Sequence, residues 1–288
     1  MIDQRITVLA CIDGSTFSAA VVDYASWVAE TVGAPLKLLH NIEHRPPPTT
    51  DLSGSIGLGA REALLEELTE LESRRSKLLM EQGRVMLEEA RQQAQSVRSV
   101  EVVSLQRHGF LAESLVEMEH EIRVLVLGIR GEDHENRPST VGAQLEVVIR
   151  AMHKPVLVVN RSFTEAPQRI MLAYDGSEAS MKALNMVATS PLYHAMECHL
   201  VHVGKDAHYA SALLEAAGRV LAGVPGLRLV KSVLSGDVEQ SLIQYQRDHG
   251  IQMTVMGAFG HGRLRELLFG SRTANILASS EVPLLLLR

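Results

Sequence analysis

The stretch VLACIDGS, Val8 to Ser15, recurs as IMLAYDGS, Ile170 to Ser177, and this repetition decides the fold. In each copy an apolar run ends on Asp-Gly-Ser, the pattern of a buried strand followed by a tight turn. From each aspartate the chain runs 27 residues to a histidine closing a second apolar run, Asp13 to His40 in LKLLH and Asp175 to His202 in HLVH. VLVLGIRG (Val124 to Gly131) then answers MTVMGAFG (Met253 to Gly260). Each copy closes on a proline-led strand, KPVLVV (Lys154 to Val159) and VPLLLL (Val282 to Leu287). The order of features is the same in both halves, so the chain is a tandem duplication.

Short β-branched or Leu-rich runs alternate with stretches of helical period, the signature of βαβ units around a parallel sheet. The first half is expected to hold strands near 6–12, 36–41, 99–105, 123–128 and 155–159, with helices over 16–32, 61–95, 110–121 and 142–152. The second half repeats this with strands near 168–174, 198–203, 227–233, 252–256 and 283–287. Continuous apolar strands are buried on both faces, so helices cover the sheet on both sides. The reading is an α/β fold of two tandem domains, 1–160 and 167–288, joined through NRSFTEAPQ at 160–168. The halves differ by an insertion of about residues 43–95. His40 to Gly128 is 33 residues longer than His202 to Gly257. Its amphipathic part, with Leu64, Leu68, Leu71, Leu78, Met86 and Leu87 near helical spacing, would reach ~50 Å as one helix, too long for a crossover alone. Gly83 is a candidate bend. Such a helix either packs on its own domain or carries a partner-binding face.

Composition narrows the function. A hydrophobic content of 46% with 22% charged residues is that of a globular protein, and 288 residues favour two domains. The net charge of −6 disfavours a broad nucleic-acid surface, and the 4% aromatic content disfavours base-stacking platforms. No run approaches the ~20 apolar residues of a membrane span, and the N-terminus lacks a signal-peptide pattern. Two cysteines in unrelated contexts, Cys11 and Cys198, fit a reducing cytoplasm rather than a disulfide framework.

Parallel α/β sheets bind ligands beyond the carboxyl ends of their strands. Asp13 and Asp175 end a first strand, and Gly128 and Gly257 end a fourth. In GAFGHGRLRELLFGS the glycines Gly257, Gly260 and Gly270 stand at G-x2-G-x9-G, with Ser271 next. Glycine lets backbone N–H groups approach a ligand as an anion-binding nest, and a helix opening at Ser271 adds free N–H groups and a positive dipole end. Ser271 and Thr273 supply hydroxyls. The competing reading is a Gly-rich loop capped by a serine.

Strand–Asp-Gly-Ser, G-x2-G-x9-G-S after the fourth strand and a closing VPLLLL strand together resemble the universal stress protein family, in its tandem-domain form, over nearly the whole chain. The resemblance implies Rossmann-like five-stranded parallel sheets of order 3-2-1-4-5, flanked by helices, with an adenine nucleotide, ATP or a relative with or without Mg2+, at the switch point. It also implies that the last strands of two domains pair antiparallel, here within one chain, with a homodimer as a further option. Carried over by position, Asp175 would lie near adenine or ribose, and Val203 would contact adenine. Met256, Gly257 and Gly260 would border ribose and phosphates, and Gly270, Ser271 and Thr273 would hold the phosphates. Half one departs: ten residues separate Gly131 from Gly142, Ala143 replaces the serine, Leu145 the threonine, and Asn41 replaces Val203. Half one is expected to bind nucleotide poorly or not at all.

No G-x4-G-K-[ST] occurs, the glycine run follows a fourth rather than a first strand, and SGSIG (Ser53 to Gly57) misses the nucleophile elbow by its first glycine. His199 and His202, three apart on a strand, face opposite sides and do not share a metal. With no catalytic or metal-binding set in view, the expectation is a cytoplasmic stress-response protein whose nucleotide biases conformation or partner binding. It would be no enzyme, or at most a slow ATP hydrolase. The alternative is a structural adaptor with a vestigial nucleotide site.

Overall fold

The computed structural model of the chain describes residues 6–43, 58–131, 142–258 and 271–288. The first half runs β1 (Thr7–Cys11), α1 (Ser18–Val32), β2 (Leu36–Ile42), α2 (Leu58–Val97), β3 (Val102–His108), α3 (Leu111–Glu117), β4 (Ile122–Gly128), α4 (Ala143–Ala151) and β5 (Val156–Val159). The second repeats it as β6 (Arg169–Ala173), α5 (Glu178–Thr189), β7 (Glu197–Val203), α6 (Ala207–Leu221), β8 (Arg228–Leu234), α7 (Val238–Asp248), β9 (Met253–Gly257), α8 (Ser271–Ser279) and β10 (Leu284–Leu287).

Each half is a parallel sheet of order 3-2-1-4-5, as the resemblance implied. Through the antiparallel pairing of the last strands, which the resemblance also implied, the two join into one ten-stranded sheet, β3-β2-β1-β4-β5-β10-β9-β6-β7-β8. The seam is antiparallel, pairing Leu284 with Val158, Leu285 with Leu157 and Leu286 with Val156. Each of these short strands is an apolar edge that would otherwise template pairing with another chain, and joining them removes both edges at once.

Strand side chains alternate across the sheet. Val8 and Ala10 enter the layer under α1, α2, α5 and α6, whereas Leu9 enters the layer under α3, α4, α7 and α8. Both layers run through both halves. The interdomain segment is fastened to each side. The Phe163 ring packs edge-on against Tyr24 of α1 at 4.8 Å, and Asn160 Nδ2 donates to the carbonyls of Ser280 (2.7 Å) and Val282 (3.1 Å). No helix among the described residues is long and apolar enough to cross a membrane.

The insertion resolves into two parts. The last fifteen residues of α2, from Gly83 to Val97, bury Leu87, Ala90 and Ala94 and occupy the crossover position that α6 fills in half two. The correspondence extends to detail. Met86 of α2 stands over Gly14, and Leu213 of α6 stands over Gly176. The surplus therefore falls before Gly83 rather than throughout 43–95. Gly83 does not interrupt the helix, since α2 continues helical through it. It is glycine because a Cβ there would run into the His40 ring and the Gln106 amide.

Candidate functional site

The repeated Asp-Gly-Ser builds the same turn twice. Ser15 N–H donates to Asp13 Oδ1 at 3.0 Å and Ser177 N–H to Asp175 Oδ1 at 2.9 Å, with Gly14 at φ +82° and Gly176 at φ +78°. Only glycine adopts that left-handed backbone without strain, so the motif has a local structural role in both halves. The repeated histidines lock the turn from below. His40 Nδ1–H donates to the Ile12 carbonyl and His202 Nδ1–H to the Tyr174 carbonyl, each at 2.8 Å. The acceptor is the residue just before the aspartate, which explains the constant spacing. The sequence showed the spacing but not this partner.

In half two, the carboxyl ends of β6, β7 and β9 bring Asp175, Val203, Met256 and Gly257 to one rim of the sheet. Asp175 is exposed, Val203 half-buried and Met256 buried, which gives an apolar floor with a carboxylate at its edge. Gly257 is needed for packing as well as for ligand access, since a Cβ would stand 2.8 Å from both Ala179 Cβ and the Ser180 backbone nitrogen of α5. Helix α8 opens at Ser271, and its first turn is pinned beside β9 by the buried Thr273, whose hydroxyl donates to the Ala258 carbonyl at 2.6 Å. The Thr273 proton is therefore engaged with the chain itself. A helix start held at a strand's carboxyl end presents free N–H groups and a positive dipole end to an anion. Gly260 and Gly270 lie outside the described residues.

Half one presents a cavity of about 550 Å³ at the equivalent rim, lined by Asp13, Asn41, Leu127, Gly128, Gly131 and Leu145 among others, and bordered from α2 by Arg75, Leu79, Gln82 and Met86. Its chemistry differs from that of half two. The buried Leu145 replaces the threonine, and Gly142 N–H is already donated to the Ile129 carbonyl at 3.1 Å. Asp13 Oδ2 lies 3.0 Å from where a Cβ on Gly131 would sit, so the carboxylate closes on the glycine turn after β4. Asn41, at the position of Val203, is held by its own neighbours. Its Nδ2 donates to the Gly109 carbonyl at 2.5 Å, and its Oδ1 accepts from Ser114 at 3.0 Å.

The remaining candidates have structural roles. Burial pushes the thiols of Cys11 and Cys198 up to about 12, so neither is a nucleophile at neutral pH. His199 and His202 bond different groups. His199 Nε2–H reaches the Glu197 carboxylate at 2.9 Å, and Nδ1 faces the Tyr245 hydroxyl at 2.8 Å. No cluster of three or more metal-ligating side chains occurs among the described residues.

Comparison with known proteins bears on this arrangement. The sequence profile of the Universal stress protein family matches residues 6–160 and again 167–288. The universal stress protein Slr1230 of Synechocystis is 35% identical over 286 residues, covering 98% of this chain and 99% of the relative. Among solved structures, a universal stress protein from Archaeoglobus fulgidus superposes with a TM-score of 0.69 at 19% identity, covering 99% of both chains. A putative universal stress protein from Pseudomonas aeruginosa gives 0.60 at 14% identity over 98% of this chain and 93% of the other.

Proposed function

The chain belongs to the universal stress protein family, with the family's domain present twice, and from that premise we propose that its C-terminal half binds an adenine nucleotide, ATP or a close relative. The observation that supports this is the asymmetry of the duplication. Only half two keeps G-x2-G-x9-G-S, and it keeps it between the carboxyl end of β9 and the opening turn of α8. The apolar floor of Val203 and Met256 suits a flat base, Asp175 suits a ribose or an exocyclic amine, and the start of α8 suits phosphate. Half one, with Leu145 in place of the threonine and Ala143 in place of the serine, is the non-nucleotide partner.

In this reading the nucleotide acts by binding rather than by turnover. A bound ligand shifts a protein only through unequal affinity for two states, and in this reading the nucleotide sets which state meets a partner. Titration calorimetry with ATP tests the site. Wild-type chain is expected to take up one nucleotide, Ser271→Ala to weaken it about tenfold, the cost of a lost charged hydrogen bond, and Gly260→Ala to weaken it by a Cβ that blocks the close approach of the backbone. Unchanged affinity in both variants sinks the assignment.

A further inference from the structure

Before Gly83, α2 runs on for 25 residues, ~37 Å; Arg75, Leu79 and Gln82 border the half-one cavity and Gln106 Nε2 donates to the Met80 carbonyl, so the helix extends past its own domain before Arg75. Every residue from Glu66 to Leu78 is exposed, including Leu68, Leu71 and Leu78 at 47%, 54% and 72%. Leucines three and seven apart share a face of a helix, and a solvated helix has no reason to carry three of them in line. Its charges are sorted along its length. Residues 66–72 carry Glu66, Glu67, Glu70 and Glu72 and no base, and residues 74–77 carry Arg74, Arg75 and Lys77 and no acid. The boundary is Ser73.

We propose that this stretch is a dimerisation element, in which the projecting α2 helices of two copies of the chain pair antiparallel about an axis near Ser73. In that orientation Leu68 of one copy meets Leu78 of the partner, the a-to-d contact of an antiparallel coiled coil, and Leu71 packs on the aliphatic stem of the partner's Arg75. The Glu66–Glu72 run of each copy then lies along the partner's Arg74–Lys77 run, at both ends of the seam. A parallel pair would set four glutamates against four and three cations against three, so charge fixes the orientation. The last strands, whose edges would offer another route to pairing, are already consumed by β5 and β10 within the chain.

Sedimentation equilibrium of the full chain tests this. Wild type is expected at twice the chain mass of 31.5 kDa, and Leu71→Glu/Leu78→Glu at the single mass with an unchanged circular dichroism spectrum, because both leucines are exposed in the lone chain. An equimolar mixture of Leu68→Cys and Leu78→Cys chains should oxidise preferentially to the mixed disulfide. A wild type that stays at single mass up to about 100 μM, a concentration at which a micromolar dimer is nearly complete, overturns the proposal. So does a dimer that survives the double glutamate substitution, which would place the interface elsewhere. Preferential disulfide formation between identical variants would mark a parallel pair and overturn the orientation.

Discussion

Gly83 is the residue at which sequence and structure part most clearly. Within a helix, replacing glycine by alanine normally stabilises by up to about 1 kcal/mol. Here the added methyl would enter space held by the His40 ring and the Gln106 amide. His40 cannot swing aside cheaply, since its Nδ1–H is committed to the Ile12 carbonyl and that bond braces the Asp13 turn. Overpacking of this kind costs about 1–3 kcal/mol, which exceeds the propensity gain. Gly83→Ala should therefore lower the thermal midpoint, whereas Gly223→Ala, with open space at its Cβ, should leave it unchanged or raise it. Equal gains from both would refute the close-approach account. A glycine in an amphipathic run reads as a bend because the run itself says nothing of what lies across from it. In the same way, Gly257 reads as a ligand position, while its packing duty needed the neighbouring Ala179 of α5 to become visible.

Among the elements, β7 is tied by side chains to both neighbouring strands and to a helix, and its first residue shows how. Glu197 accepts from Arg169 of β6 at 2.6 Å and from His199 Nε2 at 2.9 Å, with Arg228 of β8 at 3.4 Å. The chain of contacts continues from His199 Nδ1 to the Tyr245 hydroxyl of α7, which also meets Ser232 Oγ of β8 at 2.7 Å. The His199 hydrogen bond first, and the Arg169 bond after it, hold the Glu197 carboxyl below its ordinary range. Because the folded value is the lower one, this contribution is complete above the unfolded carboxylate pKa of about 4.3 and is lost as pH falls through the depressed folded value. Denaturant unfolding from about pH 7 down to 2 should show Glu197→Gln less stable than wild type at neutral pH, with the gap closing on the acid side. Parallel curves across the whole range would show that the carboxylate does not carry the linkage. Strand spans were legible wherever both faces are apolar. The exception is β3, expected at 99–105 and found three residues later. As an edge strand it has its register set by pairing with β2, where Ile42 meets His108, and the polar Gln106-Arg107-His108 gives no apolar sign of that.

At the scale of the whole molecule, the duplication could be read from sequence, and the resemblance implied the antiparallel meeting of the last strands that joins the halves; what neither showed is that two core layers run unbroken through both halves. Leu157 and Leu285 face each other across the seam, each almost fully buried, and both belong to the layer that also holds Val8 of β1 and Ile170 of β6. Truncating a buried leucine costs about 2–5 kcal/mol. If the layer is continuous, a cavity at β10 weakens both halves and not the second alone. Trp27, the sole tryptophan, is a reporter for this, since it lies in α1 of half one beside the Phe163 ring at 6.3 Å. Leu285→Ala should lower the midpoint of the Trp27 fluorescence transition together with that of the far-ultraviolet signal, because the two halves unfold as one cooperative unit. A Trp27 transition left at its wild-type midpoint, with the far-ultraviolet signal split in two, would mean that the seam joins independently stable domains. Leu157→Ala/Leu285→Ala should cost less than the sum of the single substitutions, as expected for side chains that share one space.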